Sequence, residues 1–197
     1  MKTLLISLKI FLFFTLLTGV IYPLLITGVA QVIFPGKANG SLVVRDNITV
    51  GSELIGQQFD STAYFSSRPS SGSYNTLRSG GSNYGLTNLK LSNLVMERRN
   101  RFIAFNQLDS LTVIPSEILF ASASGLDPHI SPEAALLQVD RIAEYRMFSE
   151  KQKEELSDLI KKLTEDPQFH LLGQQRINVF LLNLSLDKIE NFRQYNK

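Results

Sequence analysis

Residues 10–34 read IFLFFTLLTGVIYPLLITGVAQVIF, and no charged residue stands between Lys9 and Lys37. At about 1.5 Å rise per residue this stretch reaches roughly 37 Å, enough to cross a hydrocarbon core of about 30 Å with some tilt. A secretory signal would carry a shorter apolar core and a small-x-small cleavage site, whereas Gln31 to Pro35 (QVIFP) follows here. The expectation is therefore a short segment 1–9 and a transmembrane helix over 10–34. Lys2, Lys9 and the amino terminus precede that helix. Lys37 and Arg45 follow it, partly offset by Asp46. The positive-inside count leans toward a cytoplasmic N-terminus, with the rest of the chain on the outer side.

Within the helix, Thr15, Gly19, Pro23, Thr27 and Gln31 recur every four residues and form one slowly drifting stripe, with Tyr22 and Gly28 alongside. Small residues let another helix approach closely, and Gln31 and the Thr hydroxyls can hydrogen-bond across such a contact. Pro23 leaves a carbonyl that something else must satisfy. An anchor surrounded only by lipid has no need of such a face. The stripe is expected to be a helix–helix interface.

Working outward, the remaining residues suffice for one domain with its own core. Of the 20 Lys and Arg residues only Lys2 and Lys9 precede the helix, so the remainder balances the 18 acidic residues and the soluble part is formally neutral. That excludes the basic footprint of a nucleic-acid binder. The chain has no Cys, hence neither disulfides nor a lipid-anchored thiol.

Phe34-Pro35-Gly36 ends the apolar run, and Leu42 to Val44 reads as a short strand. Residues 61–88 are rich in Ser, Gly, Asn and Tyr, contain Arg68 and Arg78 but no acid, and are expected to form a long loop ordered by Tyr64, Phe65, Tyr74 and Tyr84. Helical spacing returns at Leu91, Leu94, Val95, Arg98, Phe102 and Phe105. The run Ile118 to Ala121 is too short to assign. A second helix opens with Ser131 as N-cap and Pro132 at its first position, carrying Leu136, Val139, Ile142 and Ala143 on one face. A third opens with Ser149 and Gln152 in capping-box spacing and ends before Pro167. The apolar run Ile177 to Leu184 (INVFLLNL) reads as a buried central strand. The fold expected is a transmembrane helix followed by one soluble α+β domain over 35–187, with a polar, frayed tail over 188–197.

Catalytic signatures are sparse. Gly36-Lys37 lacks the upstream Gly and following Ser or Thr of a phosphate loop, and two His residues without Cys give no zinc spacing. Ser122, Ser124, Asp127 and His129 raise the alternative of a membrane-anchored serine hydrolase. However, the Gly-x-Ser-x-Gly elbow is missing, because positions 121 and 123 are Ala. The simpler reading makes Asp127, Pro128 and His129 a structural or partner-contacting turn. Ser79, Gly80, Gly81, Ser82 and Asn83, with Arg68 and Arg78, could turn backbone N–H groups toward an anion, or could equally be a tight loop that satisfies itself.

Several stretches occur together in a familiar order. They are Tyr22 to Gly28 (YPLLITG) with Gln31 and Phe34-Pro35, Ala38 to Ser41 (ANGS), Gly51 to Gln57 (GSELIGQ), Tyr64 to Pro69 (YFSSRP), Ser79 to Asn83 (SGGSN), Ser122 to Pro132 (SASGLDPHISP), Gln138 with Arg141, and Ile177 to Asn183 (INVFLLN). The chain resembles the C subunit (KdpC) of the bacterial Kdp potassium-transporting P-type ATPase, colinearly from Ile10 to about Asp187. It departs at Leu86, where the family often has Pro. The resemblance implies a single-pass subunit of the bacterial cell (inner) membrane, partnered by a channel-like potassium subunit, a P-type ATPase subunit and a small membrane subunit. It implies no cofactor of its own, since ATP and K⁺ are handled by the complex, and no Asp-Lys-Thr-Gly phosphorylation motif occurs here. Two family roles follow as expectations: stabilising or coupling the potassium subunit, and a catalytic chaperone raising ATP affinity, centred on Ser79 to Asn83.

Overall fold

The computed structural model describes the backbone of residues 1–195 and the side chains of residues 1–189. It divides into two compact units, the first Met1–Ser52 and the second beginning at Glu53.

The first unit is dominated by α1 (Lys2–Ile33), long and apolar enough to cross a membrane and with none of its apolar window buried. One π-turn interrupts it at Leu17–Ile21. The interruption sits just before Pro23, whose ring would collide with the carbonyl four residues back and which has no N–H to donate; widening the helix there relieves the clash. One stripe hydroxyl turns inward on its own helix, Thr27 Oγ1 donating to Pro23 O at 2.8 Å, and Thr18 Oγ1, outside the stripe, does the same to Phe14 O at 2.7 Å. Phe34 leaves helical geometry and the short α2 (Pro35–Ala38) follows. Here the Gln31 amide meets the Asn39 amide in a reciprocal pair, Nε2 to Oδ1 at 3.2 Å and Nδ2 to Oε1 at 3.3 Å.

The strand expected over Leu42 to Val44 is β1 (Leu42–Arg45), and it has a partner that the sequence reading missed, β2 (Ile48–Ser52). Asp46 and Asn47 both hold positive φ, the conformation a two-residue hairpin turn requires and Asp and Asn tolerate.

The regular structure of the second unit is mostly helical. α3 (Leu89–Phe105) begins at Asn88, whose side chain accepts from Lys90 N. The unassigned run near Ile118 becomes a single turn, α4 (Ser116–Leu119). The two-residue β3 (His129–Ile130) leads to Ser131, which caps α5 (Pro132–Leu136) by accepting from Ala134 N at 3.1 Å. The helix expected to run on through Ala143 breaks at Gln138 and resumes as α6 (Val139–Tyr145). α7 (Glu150–Leu163) has the full capping box between Ser149 and Gln152.

The run INVFLLNL corrects the sequence reading. Only β4 (Ile177–Asn178) is extended, pairing antiparallel with β3, and the rest opens α8 (Val179–Tyr195). A short continuous apolar run fits a buried strand or a buried helix equally, and here the contacts decided. Asn178 Oδ1 accepts from Leu181 N at 3.2 Å, in the manner of a helix cap, and Val179, Leu182 and Leu186 are buried at helical spacing. The segment read as a frayed tail from 188 therefore continues α8 to Tyr195, and residues 196–197 lie outside the described residues. The core gathers Phe65, Phe102, Ile130, Ile142, Leu156, Ile160, Ile177 and Leu182 from loop, helices and both small strands.

Candidate functional site

The loop over 61–88 is threaded through this core, and its first part sets everything that follows. Phe65 is fully buried, yet its stretch of chain lies in no sheet, so its peptide groups need side-chain partners. Asn183 on α8 supplies a pair, with Phe65 N donating to Oδ1 at 2.8 Å and Nδ2 donating to Phe65 O at 3.0 Å. Gln138, at the break between α5 and α6, accepts from Ser66 N at 2.7 Å and donates to Ala134 O at 3.1 Å.

Arg141, only 4% exposed, does the rest. Its Nε donates to Asn106 Oδ1 at 2.8 Å, its Nη2 to Tyr64 O at 2.9 Å, and its Nη1 to Thr62 O. The guanidinium lies over the Phe105 ring, 4.4 Å from its centroid. Burial pushes the Arg141 pKa down to about 10, which leaves the group charged at neutral pH. Arg146 adds a bond from Nε to Ala63 O at 2.9 Å and another from Nη2 to Asp187 at 3.2 Å.

Beyond this pinned segment stands Arg68. Its Nη1 donates to Asp127 Oδ2 at 2.7 Å, while Asp127 Oδ1 accepts from His129 N and lies 3.0 Å from His129 Nδ1. Burial pushes the Asp127 carboxyl up, but hydrogen bonds from the His129 ring and backbone, with the Arg68 charge, outweigh it and hold the pKa below the usual carboxylate value. These bonds hold the turn Asp127-Pro128-His129. Pro128 O accepts from Val179 N at 2.9 Å, tying the turn to the start of α8.

The Ser79 to Asn83 loop closes on the neighbouring Ser122 to Gly125 loop. Gly80 N and Ser79 Oγ both donate to Ser124 O, at 2.8 and 3.0 Å, and Gly80 O accepts from Ser71 Oγ. Gly125 holds φ +68° with Gly80 O, Ser70 and Ser71 crowded around the place of a Cβ. Gly56 is constrained too, since a Cβ there would stand 2.8 Å from Asp127 O. The two loops that the sequence offered as separate candidates thus form one interlocked surface. Ser82 and Asn83 are exposed on it.

A cleft of about 790 Å³ opens on one side of the Arg68–Asp127–His129 cluster, reaching Glu117, Asp166 and Arg176. A second, of about 630 Å³, opens between Ile55 and Ala121 to Pro128. The serine hydroxyls are not organised for nucleophilic attack. Ser122 Oγ accepts from Asp127 N at 3.4 Å and Ser124 Oγ from Leu126 N at 3.1 Å, and among the described residues neither hydroxyl hydrogen-bonds the His129 ring. Among the described residues no group of three or more His, Cys, Asp or Glu is placed to hold a metal ion.

Residues 4–188 match the family model described as "KdpC: K+-transporting ATPase, c chain". The chain belongs to the KdpC family. Relatives named "Potassium-transporting ATPase KdpC subunit" include proteins from Photorhabdus laumondii, 45% identical over 95% of this chain and 97% of theirs, and Pectobacterium atrosepticum, 47% identical over 92% and 94%. Another from Dechloromonas aromatica is 45% identical over 96% of this chain and 99% of its own. The resemblance read from the motifs is thereby shown. What the motifs did not reveal in this KdpC chain is the purpose of Asn106, Asn183, Arg141 and Arg146. The available signal was polarity out of place: Arg141 stands between Val139 and Ile142, and Asn183 interrupts an apolar run.

Proposed function

We infer that the chain is a non-catalytic accessory subunit of an ATP-driven potassium uptake complex, coupling a channel-like subunit to a P-type ATPase subunit through structural contact. The family match across 4–188 carries this reading, because it takes in the apolar helix and the domain together. On this reading residues 1–9 lie in the cytoplasm, 10–34 cross the inner membrane, and 35–187 form the outer domain with the end of α8 as its tail. The face bearing Thr15, Gly19, Pro23, Thr27 and Gln31 docks on a neighbouring subunit's helix. Among the described residues nothing beyond the helix's own neighbouring backbone stands within 4 Å of where a Cβ would be at Gly19 or Gly28, which leaves room for a close approach.

The interlocked loops favour partner contact over nucleotide binding. Gly80 N–H already serves Ser124 O, and Arg68 is engaged by Asp127, so two of the donors an anion would use are occupied. Purification in mild detergent tests the reading: the chain is expected to bring down a channel-like and an ATPase subunit, and recovery as a lone monomer would overturn it. Single-Cys labelling in the Cys-free background tests the topology, with impermeant reagent expected to reach Ser82→Cys in intact cells. The hydroxyl alternative has its own check, since a serine-reactive phosphonate is expected to leave the chain unlabelled.

A further inference from the structure

Between α7 and β4 the chain makes a narrow finger. Its base is tied by Glu165 and Arg176, whose backbones exchange hydrogen bonds at 2.8 and 3.1 Å and whose side chains pair at 2.9 Å. Gln175 Nε2 donates to Asp166 Oδ1 at 3.0 Å beside them. Nearer the tip Gln168 and Leu172 exchange both backbone hydrogen bonds at 2.9 Å, and Leu171 N donates to Gln168 O across the turn at 3.1 Å.

The apex is Phe169 and His170, both at positive φ. That geometry normally calls for Asn and Gly, and a bulky aromatic held there is strained. Phe169 and Leu171 are each 85% exposed and Leu172 is 63% exposed. A stiff stalk therefore holds three large apolar side chains in water, where they gain nothing for the fold.

We propose that this finger is a second, shallow membrane contact, with Phe169, Leu171 and Leu172 seated among the headgroups and upper acyl chains of the bilayer that α1 crosses. The polarity gradient along the finger selects a lipid surface. No ionic side chain other than His170 stands between Asp166 and Arg176, Gln168, Gln174 and Gln175 form an amide shoulder, and the charges collect at the base. This is the order in which groups meet an interface from the inside outward. The covalent link to α1 also keeps a bilayer at high effective concentration. The inference rests only on the part of the preceding reading that puts α1 across a membrane, and not on the potassium pump.

The chain has no Trp, so one introduced Trp reports alone. Three full-length variants, Phe169→Trp, Leu77→Trp and Val20→Trp, are reconstituted in phosphatidylcholine and phosphatidylglycerol vesicles containing a lipid with a nitroxide near the head of its acyl chain. The expected result is blue-shifted emission from position 169 and quenching by the lipid nitroxide several-fold stronger than at position 77, which is 93% exposed in the same domain. Equal quenching at 169 and 77 overturns the proposal. A blue shift at 169 that the lipid nitroxide leaves untouched also overturns it, by placing protein on the tip. Loss of bilayer quenching at position 20 instead refutes the span itself, which separates the two failures.

Discussion

Two arginines, one in the loop over 61–88 and one on the helix that pins it, face opposite circumstances. Arg141 is buried, meets no carboxylate among the described residues, and distributes its charge over backbone carbonyls, the Asn106 and Gln138 amides and a ring face. Arg68 is paired with a carboxylate at 2.7 Å, yet both side chains keep solvent contact, at 21% and 29% exposure. A buried guanidinium that is fully hydrogen-bonded cannot be removed without orphaning every acceptor it serves, whereas a partly exposed ion pair loses partners that water can in part replace. The first arginine specifies how the loop is threaded, and the second shapes the surface that the thread presents.

Breaking the buried side should give the largest effect. Arg141→Met is expected to destabilise the full chain by about 4 kcal/mol, because Thr62 O, Tyr64 O and Asn106 Oδ1 lose their donor together. Urea titration in detergent, followed by tyrosine fluorescence, measures it; a loss no greater than that of an exposed Arg would erase the contrast. Asn183→Leu is expected to cost about 2–3 kcal/mol through the two bonds to Phe65, even though Leu suits the helix better.

The surface side should respond more weakly and with a pH signature. Asp127 titrates in the folded chain below its ordinary value, so its contribution is complete above the unfolded carboxyl range and is lost as pH falls through the depressed folded value. Asp127→Asn is therefore expected to lower stability by about 1 kcal/mol near neutral pH and to flatten the acid limb of the stability profile. Thermal melts at a series of pH values separate this from a pH-independent loss of packing. Smallest of all, Arg101→Ala breaks an exposed pair with Glu97 and is expected to change stability by less than about 0.5 kcal/mol.

The helices with strong local signals were legible residue by residue. Ser131 and Ser149 cap as their spacing predicted, and Asn88 to Phe105 follows its apolar stripe. The errors fell where two local readings were equally good. Asn178 could end a strand or start a helix, and Gln138 could have continued α5, until the peptide groups of Phe65 and Ser66 required the Gln138 and Asn183 amides in fixed places. The partner strand Ile48–Ser52 was readable from the Asp46-Asn47 turn but was not read.

By itself the sequence determined the long apolar helix, the family and the cap-marked helices, because charge, hydropathy and capping act over a few residues at a time. Only the tertiary structure decided that the Ser79 to Asn83 loop closes on Ser122 to Gly125, that Arg68 meets Asp127, and that Arg141 holds the buried thread. Ser79 and Ser124 stand 45 residues apart in sequence, Arg68 and Asp127 59, and Arg141 and Thr62 79, and a buried polar group finds its partner only once the core around it has formed.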